Sequence, residues 1–161
     1  MRQTLLAATA LLVLGSPLRA HDLPMQYFRA DSLAQITDIR SGRAFIMFFW
    51  AADCSVCTEQ LALLRDLSRM TPRVPLIIVS TDGAAARSAG HVLEEYGLDK
   101  EDLWTFEVAG SAAIRKSIDP KWDGKLPRTY LYDASHARQG ITGRLDRGQL
   151  DGWVRQVNAM H

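Results

Sequence analysis

The only two cysteines of this chain, Cys54 and Cys57, stand two residues apart just after an apolar run. The run, Ala44 to Trp50, is continuously apolar and aromatic, which predicts a strand buried on both faces. A Cys-x-x-Cys pair at a strand-to-helix junction is typical of thiol–disulfide exchange. The first sulfur then lies at a helix N-terminus, where unpaired N–H groups and the helix dipole favour a thiolate, and the second lies one turn behind it. The pattern therefore predicts redox chemistry at this pair.

Cys54 and Cys57 have two other interpretations. As half of a zinc site they would need two further ligands, and the chain has no other cysteine. None of the histidines shows the H-x3-5-H spacing of a zinc site: His21, His91, His136 and His161. A purely structural disulfide is also open in an oxidising compartment, although closing so short a loop removes little entropy from the unfolded chain.

Residues 1–20 have the features of a secretory signal peptide. Arg2 provides a positive charge, an apolar run extends over Leu5–Leu14, and a cleavage site follows Ala20. The apolar run is shorter than the roughly 20 residues of a membrane-spanning helix, so an uncleaved membrane anchor is the second interpretation. We expect a signal peptide over residues 1–20 and one domain over residues 21–161.

The charge balance excludes several kinds of partner. The formal net charge is +1, and the signal peptide contains Arg2 and Arg19 but no acidic residue, so the remaining domain is close to neutral. Without a basic surface no nucleic-acid partner is expected, and no later apolar run is long enough to span a membrane. The signal resembles a bacterial one, so we expect a protein of the periplasm, where an exported dithiol meets an oxidising compartment. We also expect the protein to be a monomer.

The rest of the chain alternates between helical and strand patterns. Ser32 to Gln35 has the S-x-x-Q form of a capping box and predicts a helix to about Arg40, and Asp53 is placed to cap the helix that carries Cys57. The other predicted elements are strands over Val74–Ser80, Trp104–Val108, Thr129–Tyr132 and Gln139–Thr142, and helices over Ala84–Tyr96 with Gly97 as its stop, over Ser111–Ile118, and after the cap Asp146. This order predicts an α/β sandwich with a mixed central sheet.

Three segments of the chain resemble motifs of a known family. Phe49 to Cys57 reads F-W-A-A-D-C-S-V-C, Val79 to Asp82 reads V-S-T-D, and Leu126 to Asp133 reads L-P-R-T-Y-L-Y-D. These segments are similar to the F-W-A-x-W-C-x-x-C, V-S-x-D and x-P-x-T-x-L-x-D motifs of the exported TlpA/ResA-type thiol–disulfide oxidoreductases, a branch of the thioredoxin-like family. The resemblance covers roughly Phe45 to the C-terminus.

The resemblance implies a fold and a substrate site. The fold would be a thioredoxin-like sandwich with an extra αβ element before the strand that follows a cis-proline, Pro127. Pro127 would face the cysteines, with its ring in contact with the Cys54 sulfur, and the backbone of Leu126 would be open to pair with an extended substrate. Trp122, which precedes this loop, would serve either as a substrate platform or in core packing. Arg128 is expected to be a solvated side chain.

The residues around the cysteines depart from the family motif. Asp53 stands where the family has tryptophan, and its carboxylate either opposes thiolate formation at Cys54 or serves only as a helix cap. Ser55 and Val56, between the cysteines, would tune the reduction potential through hydrogen bonds and charge near the sulfurs. Since neither residue supplies a cation to hold the thiolate, the segment favours a reductant over an oxidant.

The expected function is that of a periplasmic protein thiol–disulfide oxidoreductase that reduces disulfides of substrate proteins. It would use the Cys54–Cys57 disulfide as its redox group, with no bound cofactor and no metal, and a membrane electron donor of DsbD type would restore the dithiol. The resemblance implies substrates such as apocytochrome c, in cytochrome c maturation, or the copper-site cysteines of an oxidase. Two alternatives stay open: a thiol oxidase, and a non-catalytic copper-binding or chaperone module that uses the dithiol as a ligand.

Overall fold

Strand β2 (Phe45–Trp50) lies inside a six-stranded mixed sheet, and all of its residues are buried. The computed structural model describes residues 23–71 and 73–159. Successive side chains of a strand point to opposite faces of the sheet, so an apolar run of this kind contributes to two cores at once. Alternate residues of β2 accordingly belong to two hydrophobic clusters, one with Ile46, Phe48 and Trp50 and the other with Phe45, Met47 and Phe49.

The other elements follow the predicted order, with one additional strand at the start. The structure contains strands β1 (Gln26–Phe28), β3 (Leu76–Ser80), β4 (Asp102–Phe106), β5 (Arg128–Tyr132) and β6 (Arg138–Thr142), and helices α1 (Ser32–Ile39), α2 (Ser55–Met70), α3 (Ala86–Glu95), α4 (Ser111–Ile118) and α5 (Arg147–Ala159). In the described part of the chain, no helix is both long enough and apolar enough to cross a membrane.

The sheet has the strand order β1-β4-β3-β2-β5-β6. The first four of these strands run parallel to one another, whereas β5 is antiparallel to β2 and β6 is antiparallel to β5. The pair α3 and β4 precedes β5 in sequence, and β4 lies between β3 and β1 in the sheet. The predicted sandwich, with its mixed sheet and its extra αβ element, is confirmed.

Helices cover both faces of the sheet. Helices α2, α3 and α5 pack on one face, and α1 and α4 pack on the other. Helix α2 contributes Leu61, Leu64 and Leu67, and their spacing of three places them on the side of the helix that faces the core. This packing fixes the direction in which α2 leaves the cysteine pair at its N-terminus.

Two helix ends match their sequence signals. Gly97 has a φ of +68°, in the left-handed region. Its N–H donates to the carbonyl of Glu94, and the N–H of Leu98 donates to that of Leu93. This pair of bonds is the Schellman ending of α3. At α5 the Asp146 carboxylate accepts a hydrogen bond from the N–H of Gln149 (2.8 Å) and caps the helix as predicted.

The structure corrects several sequence expectations about elements, and others lie outside the described residues. Ser32 does not form the predicted capping box, because it is the first helical residue and its hydroxyl accepts from the Arg29 N–H (2.8 Å). Strand β1 was not predicted, and the helix expected from Ala84 begins as a short 3-10 turn over Gly83–Ala85. The predicted signal peptide and His21 lie outside the described residues.

Gly97→Ala should lower the free energy of unfolding by about 1 kcal/mol, because alanine is strained at positive φ. The added Cβ would also lie 3.3 Å from a guanidinium nitrogen of Arg69. Chemical denaturation followed by circular dichroism measures the change. Gly152→Ala inside α5 is the control, since its Cβ would meet nothing closer than 3.8 Å and alanine favours a helix by roughly 0.5–1 kcal/mol. Equal effects of the two substitutions would contradict the assigned role of Gly97.

Candidate active site

The cysteine pair lies where β2 passes into α2. After Trp50 the chain makes a turn that is closed by a hydrogen bond from the Cys54 N–H to the Ala51 carbonyl (3.2 Å). Cys54 is the N-cap of α2, and its sulfur accepts from the N–H of Cys57 (3.2 Å). Because the first N–H groups of a helix have no partner within the helix, they stabilise a negative charge at this position. A reduced Cys54 is therefore placed to ionise.

The two sulfurs differ in their exposure. Cys54 and Cys57 form a disulfide with their Cα atoms 5.2 Å apart. Cys57 is fully buried, on the side of α2 that faces the core, whereas Cys54 is partly exposed. Attack on a disulfide of another protein requires access to the attacking sulfur. The arrangement therefore suits Cys54 to the attack and Cys57 to closing the internal disulfide, and the predicted placement at the first turn of a helix is confirmed.

Pro127 lies beside the end of β2. The peptide bond between Leu126 and Pro127 is cis, as the resemblance implies, and Pro127 is buried. Phe49 of β2 pairs with Arg128 of β5 in the antiparallel ladder. Continuing this register by one residue brings Pro127 opposite the last residue of β2, next to the cysteine turn.

The backbone groups of Leu126 have no hydrogen-bond partner in the part of the chain that the structure describes. The Pro127 carbonyl accepts a hydrogen bond from the N–H of Gly143 (2.8 Å), whereas neither backbone group of Leu126 has a hydrogen bond within residues 23–71 and 73–159. An extended peptide pairs with free backbone groups of this kind. Substrate binding at Leu126 and Pro127, and contact between the Pro127 ring and the Cys54 sulfur, stay predictions that this register supports.

Trp122 is part of the aromatic core. It is 7% exposed, its ring centroid lies 4.9 Å from that of Phe49, and its indole N–H donates to the Lys125 carbonyl (3.0 Å). These contacts account for Trp122 by core packing, the second of its two interpretations. A part in substrate binding would have to use the small exposed edge of the ring, and it stays a prediction.

The residues that flank and separate the cysteines are more exposed than Cys57. Asp53 does not cap α2, which corrects one of its two interpretations, because Cys54 itself is the N-cap. Asp53 and Ser55 are exposed, and Val56 is half-buried. The Ser55 carbonyl accepts from the Thr58 hydroxyl (2.9 Å). Any effect of Asp53 on Cys54 would therefore come from its charge. Redox tuning by Asp53, Ser55 and Val56 stays a prediction.

The end of β3 also contacts the cysteine turn, a contact that was not predicted from the sequence. The Trp50 carbonyl accepts from the N–H of Thr81 (2.8 Å) and from its hydroxyl (3.2 Å). The Asp82 carboxylate accepts from the N–H of Ala52 (3.0 Å). Neighbouring parallel strands end at the same edge of a sheet. The V-S-T-D segment at the end of β3 was therefore the sequence signal that could have predicted this contact.

Arg128 is not a solvated side chain, which corrects the expectation from the sequence. Its side chain is 16% exposed, and its guanidinium lies 3.1 Å from the Asp119 carboxylate and donates to the Thr142 hydroxyl (2.6 Å). The guanidinium carbon also lies 4.5 Å from the centroid of the Tyr130 ring. The absence of a side chain at Gly140 leaves room for this guanidinium, since a Cβ at Gly140 would lie 2.9 Å from the guanidinium carbon. The cluster anchors the start of β5, directly after the cis peptide bond.

Asp119 lies at the centre of this cluster. Its carboxylate accepts from the Tyr130 hydroxyl (2.9 Å) and lies 3.6 Å from the guanidinium of Arg138. Burial acts to raise the pKa of Asp119, but hydrogen bonds from the Lys121 N–H and the Tyr130 hydroxyl, together with the two guanidinium groups, hold that pKa below its usual value. Burial raises the pKa of Tyr130 to about 12.

Asp119→Asn should lower the free energy of unfolding at neutral pH by about 1–2 kcal/mol, because both arginines lose their charged partner. A carboxyl whose pKa is lower in the folded state stabilises the protein above its unfolded pKa and loses that contribution as the pH falls through the folded pKa. The difference between the two proteins should therefore shrink below about pH 4. Urea unfolding at several pH values measures it.

Asp123→Asn is the control for this prediction, because Asp123 pairs with Lys125 at the surface, where the two side chains are 54% and 74% exposed. Screening by water makes such pairs weak, so this variant should have nearly unchanged stability. A constant difference between Asp119→Asn and the unmutated protein from pH 7 to pH 3 would contradict the ionic role of Asp119.

Comparison with known proteins gives structural neighbours only. No family model matches the chain, and no curated protein matches it by sequence. A thiol-disulfide isomerase from Corynebacterium glutamicum is similar in structure with a TM-score of 0.62 at 14% identity, over 75% of this chain and 84% of that chain. A secreted disulfide oxidoreductase of Mycobacterium tuberculosis, homologous to DsbE of E. coli, has a TM-score of 0.59 at 16% identity, over 74% and 85% of the two chains. A thioredoxin-related protein from Neisseria meningitidis serogroup B has a TM-score of 0.59 at 21% identity, over 72% and 85%. These similarities establish the fold.

Proposed function

We propose that this chain, which has the thioredoxin-like fold, is an exported thiol–disulfide oxidoreductase that acts on proteins. The observation that carries the proposal is the disulfide between the only two cysteines, at the N-terminus of α2 and beside the strand that follows the cis-proline. The structural neighbours named as thiol–disulfide enzymes support the same chemistry. The resident redox group is this disulfide, and the proposed reaction needs no other cofactor.

In the reducing direction the reaction proceeds through a mixed disulfide. The Cys54 thiolate attacks one sulfur of a substrate disulfide, which forms a bond between the two proteins and releases one substrate thiolate. The Cys57 thiolate then attacks the Cys54 sulfur, which restores the internal disulfide and releases the second substrate thiolate. Two electrons pass from the dithiol to the substrate, and the released thiolates take up the protons. An external dithiol must then reduce Cys54–Cys57 again.

Substrate recognition would use the open backbone at Leu126. A segment of the substrate that is extended on both sides of its cysteine can pair with this backbone, because main-chain hydrogen bonds do not depend on the side chains. Cys54 is the partly exposed sulfur, at the adjoining turn. Such a site would accept several proteins with an accessible disulfide, among which apocytochrome c and proteins with copper-site cysteines are the proposed substrates.

The proposed location and direction rest on the sequence of residues 1–20 and on the residues around Cys54. The signal-like residues 1–20 support export to the periplasm, where a membrane electron donor of DsbD type would supply electrons. The absence of a cation among Asp53, Ser55 and Val56 supports a reducing potential. The protein is proposed to act as a monomer that meets its partner proteins transiently.

The reduction potential of the Cys54–Cys57 couple tests the direction. Equilibration with glutathione buffers, followed by quantification of the oxidised fraction, should give a potential below roughly −200 mV, in the range of reducing proteins. A potential near that of the strong oxidants, about −120 mV, would favour the thiol oxidase. Reduced protein that does not exchange with glutathione but retains copper through dialysis would favour the copper-binding module.

Cys57→Ser should accumulate mixed disulfides with substrate proteins, because attack by Cys54 proceeds while resolution cannot. Cys54→Ser should trap at least about tenfold less, because Cys57 is fully buried. Non-reducing electrophoresis, with and without a reductant, measures the trapped complexes. Cys54→Ser serves as the matched control, and equal trapping by both variants would contradict the assigned roles.

Asp53→Asn should lower the pKa of the reduced Cys54 thiol, because it removes a negative charge from the adjacent residue. The reduced form gains a stabilised thiolate, so the couple should become about twofold to threefold easier to reduce. Thiolate absorbance titrations at low and high salt measure the effect, which should shrink with salt because Asp53 is exposed. An unchanged or raised pKa would mean that the charge of Asp53 has no redox role.

A further inference from the structure

Asp82 joins the buried end of β3 to the turn that carries Cys54. One oxygen of its carboxylate, Oδ2, accepts both from the Ala52 N–H (3.0 Å) and from the Ser80 hydroxyl (2.7 Å). Ser80 is fully buried, and its hydroxyl oxygen accepts in turn from the Asp82 N–H (3.0 Å). These three bonds hold the carboxylate in one orientation, with its charge directed at the cysteine turn.

We propose that Asp82 is a positioning residue for Cys54, one that orders the cysteine turn and sets the reduction potential of the couple through its charge. The proposal deepens the proposed function and rests on it. Asp82 and Cys54 bind opposite ends of one peptide group. The Cys54 N–H donates to the Ala51 carbonyl (3.2 Å), and the N–H of the following residue, Ala52, donates to the Asp82 carboxylate. The path of the backbone from β2 to the first turn of α2 thus depends on this carboxylate.

The charge of Asp82 has no partner cation in the part of the chain that the structure describes. Among residues 23–71 and 73–159, Asp82 forms no salt bridge, and both donors to its Oδ2 are neutral. The Cα atoms of Ala52 and Cys54 are separated by two peptide units, which span at most about 7 Å. Asp82 Oδ2 lies 3.0 Å from the Ala52 nitrogen, so the carboxylate stands beside the turn that carries Cys54. Because Asp82 is half-buried, its charge is screened less than that of an exposed carboxylate.

The sign of the effect follows from the charge of each redox state. The disulfide is neutral, whereas the reduced couple carries a thiolate at Cys54, which a nearby carboxylate destabilises. Asp82 therefore makes the dithiol a better electron donor. The N-terminus of α2 acts in the opposite sense, since it stabilises the thiolate.

Asp82→Asn keeps an oxygen that can accept from Ala52 and removes the charge. In glutathione buffers we expect its equilibrium constant for disulfide formation to fall about threefold to tenfold, which corresponds to roughly 15–30 mV toward a more oxidising potential. Asp133→Asn is the matched control. The Asp133 carboxylate likewise accepts from backbone N–H groups, those of Ser135 (2.8 Å) and Ala137 (3.0 Å), but in the turn after β5, at the far end of that strand from Pro127.

The outcomes separate this inference from the function it rests on. A shifted potential in Asp82→Asn with an unshifted one in Asp133→Asn supports the inference, whatever either substitution does to stability. If the unmutated protein exchanges with glutathione and Asp82→Asn has the same potential, the inference is wrong and the proposed function stands. If the unmutated protein does not exchange, both are wrong.

A second measurement begins with the unmutated protein, so its first result does not depend on how well a variant folds. Hydrogen exchange of the Ala52 amide, followed by NMR in the disulfide form, should be slow because Asp82 accepts its proton. In Asp82→Ala the same amide should exchange at least about tenfold faster. An Ala52 amide that exchanges at the rate of an open loop in the unmutated protein overturns the inference.

Discussion

The pairing of β2 with a strand on each side is the constraint on which the candidate site depends. Strand β3 is parallel to β2, so its carboxyl end arrives beside that of β2, with Ser80 opposite Trp50. Strand β5 is antiparallel, so its amino end arrives at the same place, with Arg128 opposite Phe49. The cysteine turn, the Thr81–Asp82 segment and the cis-proline therefore meet at one edge of the sheet. A shift of either ladder by one residue would turn the buried side chains of that strand to the wrong face. The burial of β2 therefore fixes the register of both ladders, and with it the geometry of the site.

We propose that two opposed electrostatic influences act on the Cys54 sulfur. The N-terminus of α2 favours a thiolate, and the sulfur already accepts the Cys57 N–H in the disulfide form. The carboxylates of Asp53 and Asp82 would disfavour a thiolate. Asp53 is exposed, and Asp82 is held by neutral donors. A site of this composition would activate the nucleophile while disfavouring a strongly stabilised thiolate, which is the property that the proposed role as a reductant requires.

Signals confined to one segment predicted the local structure well, whereas signals that depend on neighbours did not. Gly97 and Asp146 act within their own helix ends, and both predictions are confirmed. Ser32 and Asp53 match cap patterns, but the hydroxyl of Ser32 bonds to Arg29 and the sulfur of Cys54 occupies the capping position of α2. A residue whose side chain can cap a helix therefore does not always occupy the N-cap position. The first helical residue is set by how the chain enters from the preceding element.

Local patterns were enough to predict the redox pair, the strand buried on both faces and the order of most helices and strands, because cysteine spacing, hydrophobic periodicity and turn residues act over a few neighbouring positions. Which side chains surround the pair depends instead on contacts between distant segments. Strand β1 has three residues and forms by pairing with β4, so it carries no periodicity of its own. Arg128 is held by Asp119 and by the space over Gly140, and Asp82 reaches Ala52 across thirty positions of sequence. These contacts follow from strand order and register, which arise from packing between segments distant in the chain and leave no local pattern from which they could be read.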